Sequence, residues 1–206
     1  MADIKNLRPF ILKWEGGLSR DTNDTASRVK CSTPYKGKTG YHTNKGITYA
    51  VWRSVFGSDK DMRFLEMNDA DWDTVMKKLY WDRWKADEIK DQAIANTLVD
   101  WVWGSGVHGI KIPQRMLGVT ADGVVGAKTI EVLNNAPKDF LQRLYKERED
   151  FLHRIVRSNP TQKVFLKGWM NRMADLKKWN EKFGTNYAHY LYDSPTPVSY
   201  THLRAH

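Results

Sequence analysis

Apolar side chains at Ile4, Leu7, Ile11 and Trp14, with Phe10 alongside, recur at helical spacing and predict a helix over 3–15. Gly16-Gly17 supply its stop. Residues 18–46 break the period: they are rich in Thr, Asn, Asp, Gly and Lys and read as a long loop. A small β hairpin is expected within it, around Lys36-Gly37-Lys38-Thr39-Gly40. The helical pattern returns at Thr48, where Tyr49, Val51, Trp52 and Val55-Phe56 make a short helix that Gly57 ends. Asn68 or Asp69 then caps a helix carrying Trp72, Val75, Met76, Leu79 and Tyr80, expected to run to about Trp84.

From Asp91 to Trp103 the apolar stripe of Ile94, Leu98, Trp101 and Val102 is nearly continuous with apolar neighbours, which predicts a buried central helix. Gly104-Ser105-Gly106 close it. A short helix over Ile112–Leu117 follows, then turns through Gly118–Gly126, then a helix over Lys128–Leu133. A long helix begins near Pro137, carries Phe140-Leu141, Leu144, Phe151-Leu152 and Ile155, and is broken by Asn159-Pro160. The last one shows Phe165-Leu166, Trp169-Met170, Met173, Leu176 and Trp179 and stops near Gly184. Asp193–His206 has no periodicity and two prolines, and reads as a disordered tail or one foreign to the native gene product. The fold class expected is mainly α, with a small β hairpin in the N-terminal loop region.

Composition narrows this without deciding it. At 206 residues, 41% hydrophobic and 28% charged, the chain is an ordinary globular protein. A net charge of +9 implies an anionic partner, either nucleic acid or an acidic envelope polymer. The basic residues are interleaved with acids and form no nucleic-acid recognition motif, which argues against the first. Cys31 is the only cysteine, so no intramolecular disulfide is expected. The N-terminus lacks the apolar run of a secretory signal, and no window approaches the roughly 20 apolar residues of a membrane span. The six histidines show no metal-ligand spacing, and no phosphate-binding glycine loop or nucleophile elbow occurs, so neither metal nor organic cofactor is expected.

One stretch offers chemistry. Trp14-Glu15-Gly16-Gly17 puts a carboxylate beside a large ring at a helix C-terminus, where the dipole and an apolar neighbour both favour a neutral acid. Glycoside hydrolysis needs such a proton donor, plus a second group to manage water or the developing cation. Asp21 and Asp24 follow in a loop able to fold back over a cleft, and the Thr43 hydroxyl is suited to positioning a water. As a bare pattern this is weak. A Glu at a helix end is most often a solvated charge, and an Asp in an Asn/Thr-rich loop most often forms a turn.

The series of motifs is more specific than any one of them. Trp14-Glu15-Gly16-Gly17 with Asp21 and Asp24, then Thr43-Asn44-Lys45-Gly46-Ile47-Thr48, Leu79-Tyr80-Trp81-Asp82 and Trp103-Gly104-Ser105-Gly106 occur in that order. Together they resemble the glycoside hydrolase family 108 muramidases, a group that includes phage endolysins. The second half resembles the predicted peptidoglycan-binding domain that accompanies this family. It does so through Gln114-Arg115-Met116-Leu117-Gly118-Val119, Asp122-Gly123-Val124-Val125-Gly126, Phe165-Leu166-Lys167-Gly168-Trp169 and Asn171-Arg172. The Asp24–Thr43 loop is longer than the family's usual version.

The resemblance implies a lysozyme-like fold with a catalytic region over 1–108, a peptidoglycan-binding helical region over 109–184 and a tail over 185–206. It implies hydrolysis of the β-1,4 bond between N-acetylmuramic acid and N-acetylglucosamine. Glu15 would be the general acid, assisted by Asp24, with Asp21 the alternate, and by Thr43. Asp21, Asn44, Tyr80 and Trp81 would meet the substrate. The partner expected is peptidoglycan, with no nucleic acid and no stable membrane insertion. The chain would be made in the cytoplasm and reach the wall through a holin or an export system. A lytic transglycosylase on the same fold and a non-catalytic wall-binding or phage module are the alternatives.

Overall fold

The computed structural model describes residues 1–18, 43–57 and 61–184, and their regular elements are helices apart from one two-stranded hairpin. Asp21, Asp24, Cys31, the hairpin expected at Lys36–Gly40 and the 185–206 tail lie outside the described residues. The mainly α class with a small hairpin is as expected.

The first predicted helix is two pieces: a 3-10 turn, Ile4–Asn6, capped by the Asp3 carboxylate, then α1 (Arg8–Trp14). A continuous helix would need an N–H from residue 9 to the Lys5 carbonyl, and Pro9 has none. In the first turn of α1 that missing donor costs nothing.

Two compact units divide the described chain: Met1–Phe10 with the residues from Tyr80 onward, and Ile11–Leu79. In the second unit the end of α1 is followed by β1 (Thr43–Asn44), β2 (Ile47–Thr48), α2 (Tyr49–Phe56), α3 (Asp61–Leu65) and α4 (Asp69–Met76). Thr48 ends β2 and caps α2 by accepting the Val51 N–H, and Gly57, at φ +76°, terminates it. Asn68, not Asp69, caps α4, accepting the Asp71 N–H at 2.9 Å. The core here is aromatic: Phe64 meets Tyr49 edge-on at 5.6 Å and Trp52 at 5.9 Å, and Trp72 is fully buried.

The helix expected to reach Trp84 instead ends at Met76, widens into one π turn (Lys77–Trp81), and breaks into 3-10 turns at Asp82–Trp84 and Ala86–Glu88. Two buried indoles account for the irregularity. Trp81 donates its N–H to Asp87 at 2.7 Å and Trp84 to the Gly109 carbonyl at 3.0 Å, so each ring is tied to an acceptor off the helix.

The other unit is built on α5 (Gln92–Ser105), capped by Asp91 and buried along most of its length, as its continuous apolar stripe predicts. Around it lie α6 (His108–Met116), α7 (Ala127–Asn134), α8 (Phe140–Ser158) and α9 (Lys163–Glu181). The helix α6 starts four residues before the expected Ile112, because Gly109 lets its first turn lie directly against α5. A Cβ there would come within 2.6 Å of the Val102 nitrogen. The helix α8 starts at Phe140, after a turn closed by the Pro137 carbonyl. The helices α5, which ends before residue 108, and α6, which begins at it, belong to one unit. Among the described residues no helix is long and apolar enough to cross a membrane.

Buried polar groups tie α5, α8 and α9 together. Asp100 of α5 is fully buried and pairs with Arg148 of α8 at 2.8 Å and Arg172 of α9 at 2.6 Å. Nearby, Asn96 donates to Asn180 at 3.0 Å, and Asn180 donates to Thr97 at 3.0 Å and Tyr145 at 2.9 Å. Apolar contacts tolerate small rotations of a helix about its axis, whereas these directional bonds fix its orientation.

Candidate functional site

The hairpin β1–β2 turns through Lys45 and Gly46, at φ +51° and +77°, and pairs Thr43 with Thr48 and Asn44 with Ile47. Two consecutive left-handed residues are what a two-residue hairpin matched to strand twist requires. Glycine meets that demand freely at the second position, while Lys45 is strained and must be held.

Side-chain bonds hold it. The Lys45 ammonium donates to the Met67 carbonyl at 2.8 Å, with the Asp69 carboxylate 3.8 Å away. The buried Trp72 indole donates to the Lys45 carbonyl at 3.0 Å. One residue earlier, the Asn44 amide donates to the Phe64 carbonyl at 2.8 Å and the Leu65 carbonyl at 3.3 Å. The turn is therefore clamped to α3, α4 and the segment joining them, and the Arg63–Asp71 ion pair braces that region further.

Against this clamped turn lies Glu15. Its N–H continues α1 by donating to the Ile11 carbonyl at 3.0 Å, so the residue is fixed in the last turn beside buried Trp14. The side chain is half-buried and rests on the face of Gly46. A Cβ on Gly46 would lie 2.6 Å from the Glu15 Oε2 and 2.7 Å from its Cδ and Cγ. Only a residue without a side chain admits the carboxylate at this place.

The expected site residues thus separate into groups. Glu15 and the hairpin that carries Thr43 and Asn44 come together within one unit. Thr43 and Asn44 are 8% and 6% exposed, and the amide of Asn44 serves the hairpin's own anchorage. Tyr80 is 9% exposed and packs on Trp103 with ring centroids 4.7 Å apart. Trp81 corrects the expectation of a substrate-facing ring: it has no exposed surface and its indole N–H is bound to Asp87, so it is a core residue. Asp21 and Asp24 lie outside the described residues.

Sequence reasoning gave Gly46, Lys45 and Trp72 no individual role in the site. The available signal was Lys-Gly between Thr-Asn and Ile-Thr, a two-residue turn between strand-forming residues.

Residues 8–106 match the family described as glycosyl hydrolase 108, and residues 108–174 match the one described as predicted peptidoglycan domain. Among solved structures, the chain is similar to the structure of Brucella abortus SagA. The TM-score is 0.67 and the identity 22%, over 89% of this chain and 96% of that one. At that identity the likeness bears on the fold alone. No curated protein matches the chain.

Proposed function

Residues 8–106 belong to the glycosyl hydrolase 108 family, and on that footing we propose that this chain is an N-acetylmuramidase. It is a glycosyl hydrolase that acts on peptidoglycan. The finer reading is that it hydrolyses the β-1,4 bond between N-acetylmuramic acid and N-acetylglucosamine, with Glu15 as general acid. Residues 8–106 would carry the chemistry and 108–174 the hold on the wall.

The observation that carries this reading is the seat of Glu15 on the bare backbone of Gly46. General acid catalysis requires a carboxyl held at a fixed position relative to the leaving oxygen, because misplacement by about 1 Å can cost 10²-fold in rate. Glu15 has that support: a helix end on one side, and on the other a turn anchored through Lys45, Asn44 and Trp72. Proton transfer to the glycosidic oxygen then lets the bond break toward an oxocarbenium-like transition state. Asp24, or Asp21, would orient water or stabilise the positive ring, and the Thr43 hydroxyl would help place the water. No cofactor enters the scheme. The net charge of +9 would hold the enzyme on an anionic wall, an attraction that salt should weaken.

Release of soluble, reducing-sugar-bearing fragments from purified insoluble peptidoglycan tests the proposal. A chain that sediments with the walls and releases nothing would instead be a binding module.

The seat itself makes a prediction. In Gly46→Ala the added methyl must displace the Glu15 carboxyl, and the left-handed backbone adds about 1 kcal/mol of strain. Turnover on purified walls should fall at least about tenfold while KM changes little, because the acid moves and the glycan contacts do not. Turnover within twofold of the parent would show that the Glu15–Gly46 contact has no catalytic consequence.

A further inference from the structure

We propose that the Asp122-Gly123-Val124 turn and the start of α6 form the surface on which this chain holds the stem peptides of peptidoglycan. The inference rests on the reading that peptidoglycan is the substrate. It adds where the polymer is gripped and which of its parts is recognised.

Folding leaves few large apolar side chains in water here, and two of them are neighbours. Val107 is 37% exposed and Val124 is 70% exposed. The Val107 Cγ2 lies 2.7 Å from where a Cβ on Gly123 would stand, so its methyl covers the Gly123 backbone, and Val124 is the next residue along. The aliphatic chain of Lys111 approaches the same point to 3.2 Å. Beside Val107, the exposed His108 ring stacks on half-buried Phe151, with centroids 5.5 Å apart. The result is one apolar patch edged by polar groups, a form that marks an interaction site more often than an accident of the surface.

The patch is also rigid. The fully buried Gln114 accepts the Gly123 N–H at 2.9 Å and donates to the Val124 carbonyl at 3.0 Å and the Asp122 carboxylate at 3.3 Å. Asp122 closes the turn by accepting the Val124 N–H at 2.9 Å. A buried glutamine spent on presenting an exposed valine is a stiff support, and binding surfaces need one.

Charge selects the occupant. Lys111 reaches from α6 to the turn that carries Asp122, and the Val124 N–H, with a smaller contribution from the Lys111 charge, keeps that carboxyl below its usual range. A patch with both signs and aliphatic methyls complements a short peptide carrying alanine methyls, free carboxylates and the amine of a diamino acid. A bare glycan strand offers no cation to Asp122, and a nucleic acid would meet that carboxylate with like charge. Every residue named except Val107 lies within 108–174, the segment that matches the predicted peptidoglycan domain.

The test uses the full chain carrying Glu15→Gln, so that retention is read without digestion. Two ligands are compared, both covalently immobilised on beads so that loss of the peptide cross-links leaves the glycan in place: purified sacculi freed of attached polymers, and the same sacculi after an amidase has removed the stem peptides. Binding to intact sacculi should be roughly tenfold tighter, the loss expected when a few interface contacts disappear. Adding Val124→Glu or Lys111→Glu should lower it to the stripped level. Val164→Glu, the same change at an exposed valine of α9, should leave it unchanged. Melting temperatures of all variants should match, since none of the altered side chains is buried in the core. Equal binding to the two sacculi, or full retention by Val124→Glu, overturns the proposal. Because no cleavage is read, that outcome leaves the proposed hydrolysis standing, and an inactive wild-type chain that still discriminates the two sacculi leaves this surface standing.

Discussion

Replacing Glu15 by Gln should reduce hydrolysis of purified peptidoglycan by about 10²–10⁴-fold, the range that a positioned general acid supplies. The substitution keeps the shape that rests on Gly46 and removes only the proton to be transferred. Glu15 is half-buried at a helix end, outside the aromatic core of its unit, so the melting temperature should stay within a degree or two of the parent. The two readouts separate the roles. A fall in rate with an unchanged melting curve makes Glu15 a chemical residue, whereas a fall in both makes it a structural one. Retention of most of the activity would remove Glu15 from the mechanism.

The second large effect is on stability, and it belongs to Asp100. This carboxylate is fully buried between Arg148 and Arg172, on the helix around which its unit packs. Burial alone pushes its pKa up, but the two guanidiniums outweigh burial and hold it below the usual carboxylate range. Asp100→Ala leaves two buried cations facing each other, and breaking a buried pair in this way costs about 3–5 kcal/mol. For a chain of this length that corresponds to roughly ten degrees in melting temperature. An equivalent change at the exposed Lys128–Glu131 pair, Glu131→Ala, should have no measurable effect.

The pH dependence follows the same logic. A group whose folded pKa is depressed adds stability above its unfolded pKa of about 3.9 and loses it as pH falls through the lower folded value. Asp100→Asn should therefore flatten the acid limb of the stability curve below about pH 4. An acid limb identical to the parent's would show that the triad does not titrate on unfolding.

Most of the helical framework can be read from the chain because its cause is local. The stripe through Ile94, Leu98, Trp101 and Val102 predicts α5, and burial on both sides of that stripe predicts its central place. The misplaced elements share a different cause. The helix α6 begins at His108 only because Gly109 allows close approach to a helix already formed, a contact that a residue-by-residue pattern does not contain. The π turn at Lys77–Trp81 serves indole bonds to Asp87 and Gly109, partners known only once the chain is folded.

The site was legible in the same uneven way. Glu15 stands out by its place at a helix end next to two glycines. Its support on Gly46 does not, since it joins positions about thirty residues apart through a turn whose strain is relieved by Met67, Asp69 and Trp72. Trp81 shows the converse error. A tryptophan in a motif invites a substrate role, and only its burial and its bond to Asp87 assign it to the core.

The chemistry proposed here is decided by the new ends that the enzyme makes. Purified peptidoglycan digested by the wild-type chain, reduced with borohydride and analysed by mass spectrometry should yield fragments ending in reduced N-acetylmuramic acid. Fragments ending in 1,6-anhydro-N-acetylmuramic acid would make the enzyme a transglycosylase, and ends in reduced N-acetylglucosamine would place the cut at the other glycosidic bond. Either result would contradict the muramidase assignment.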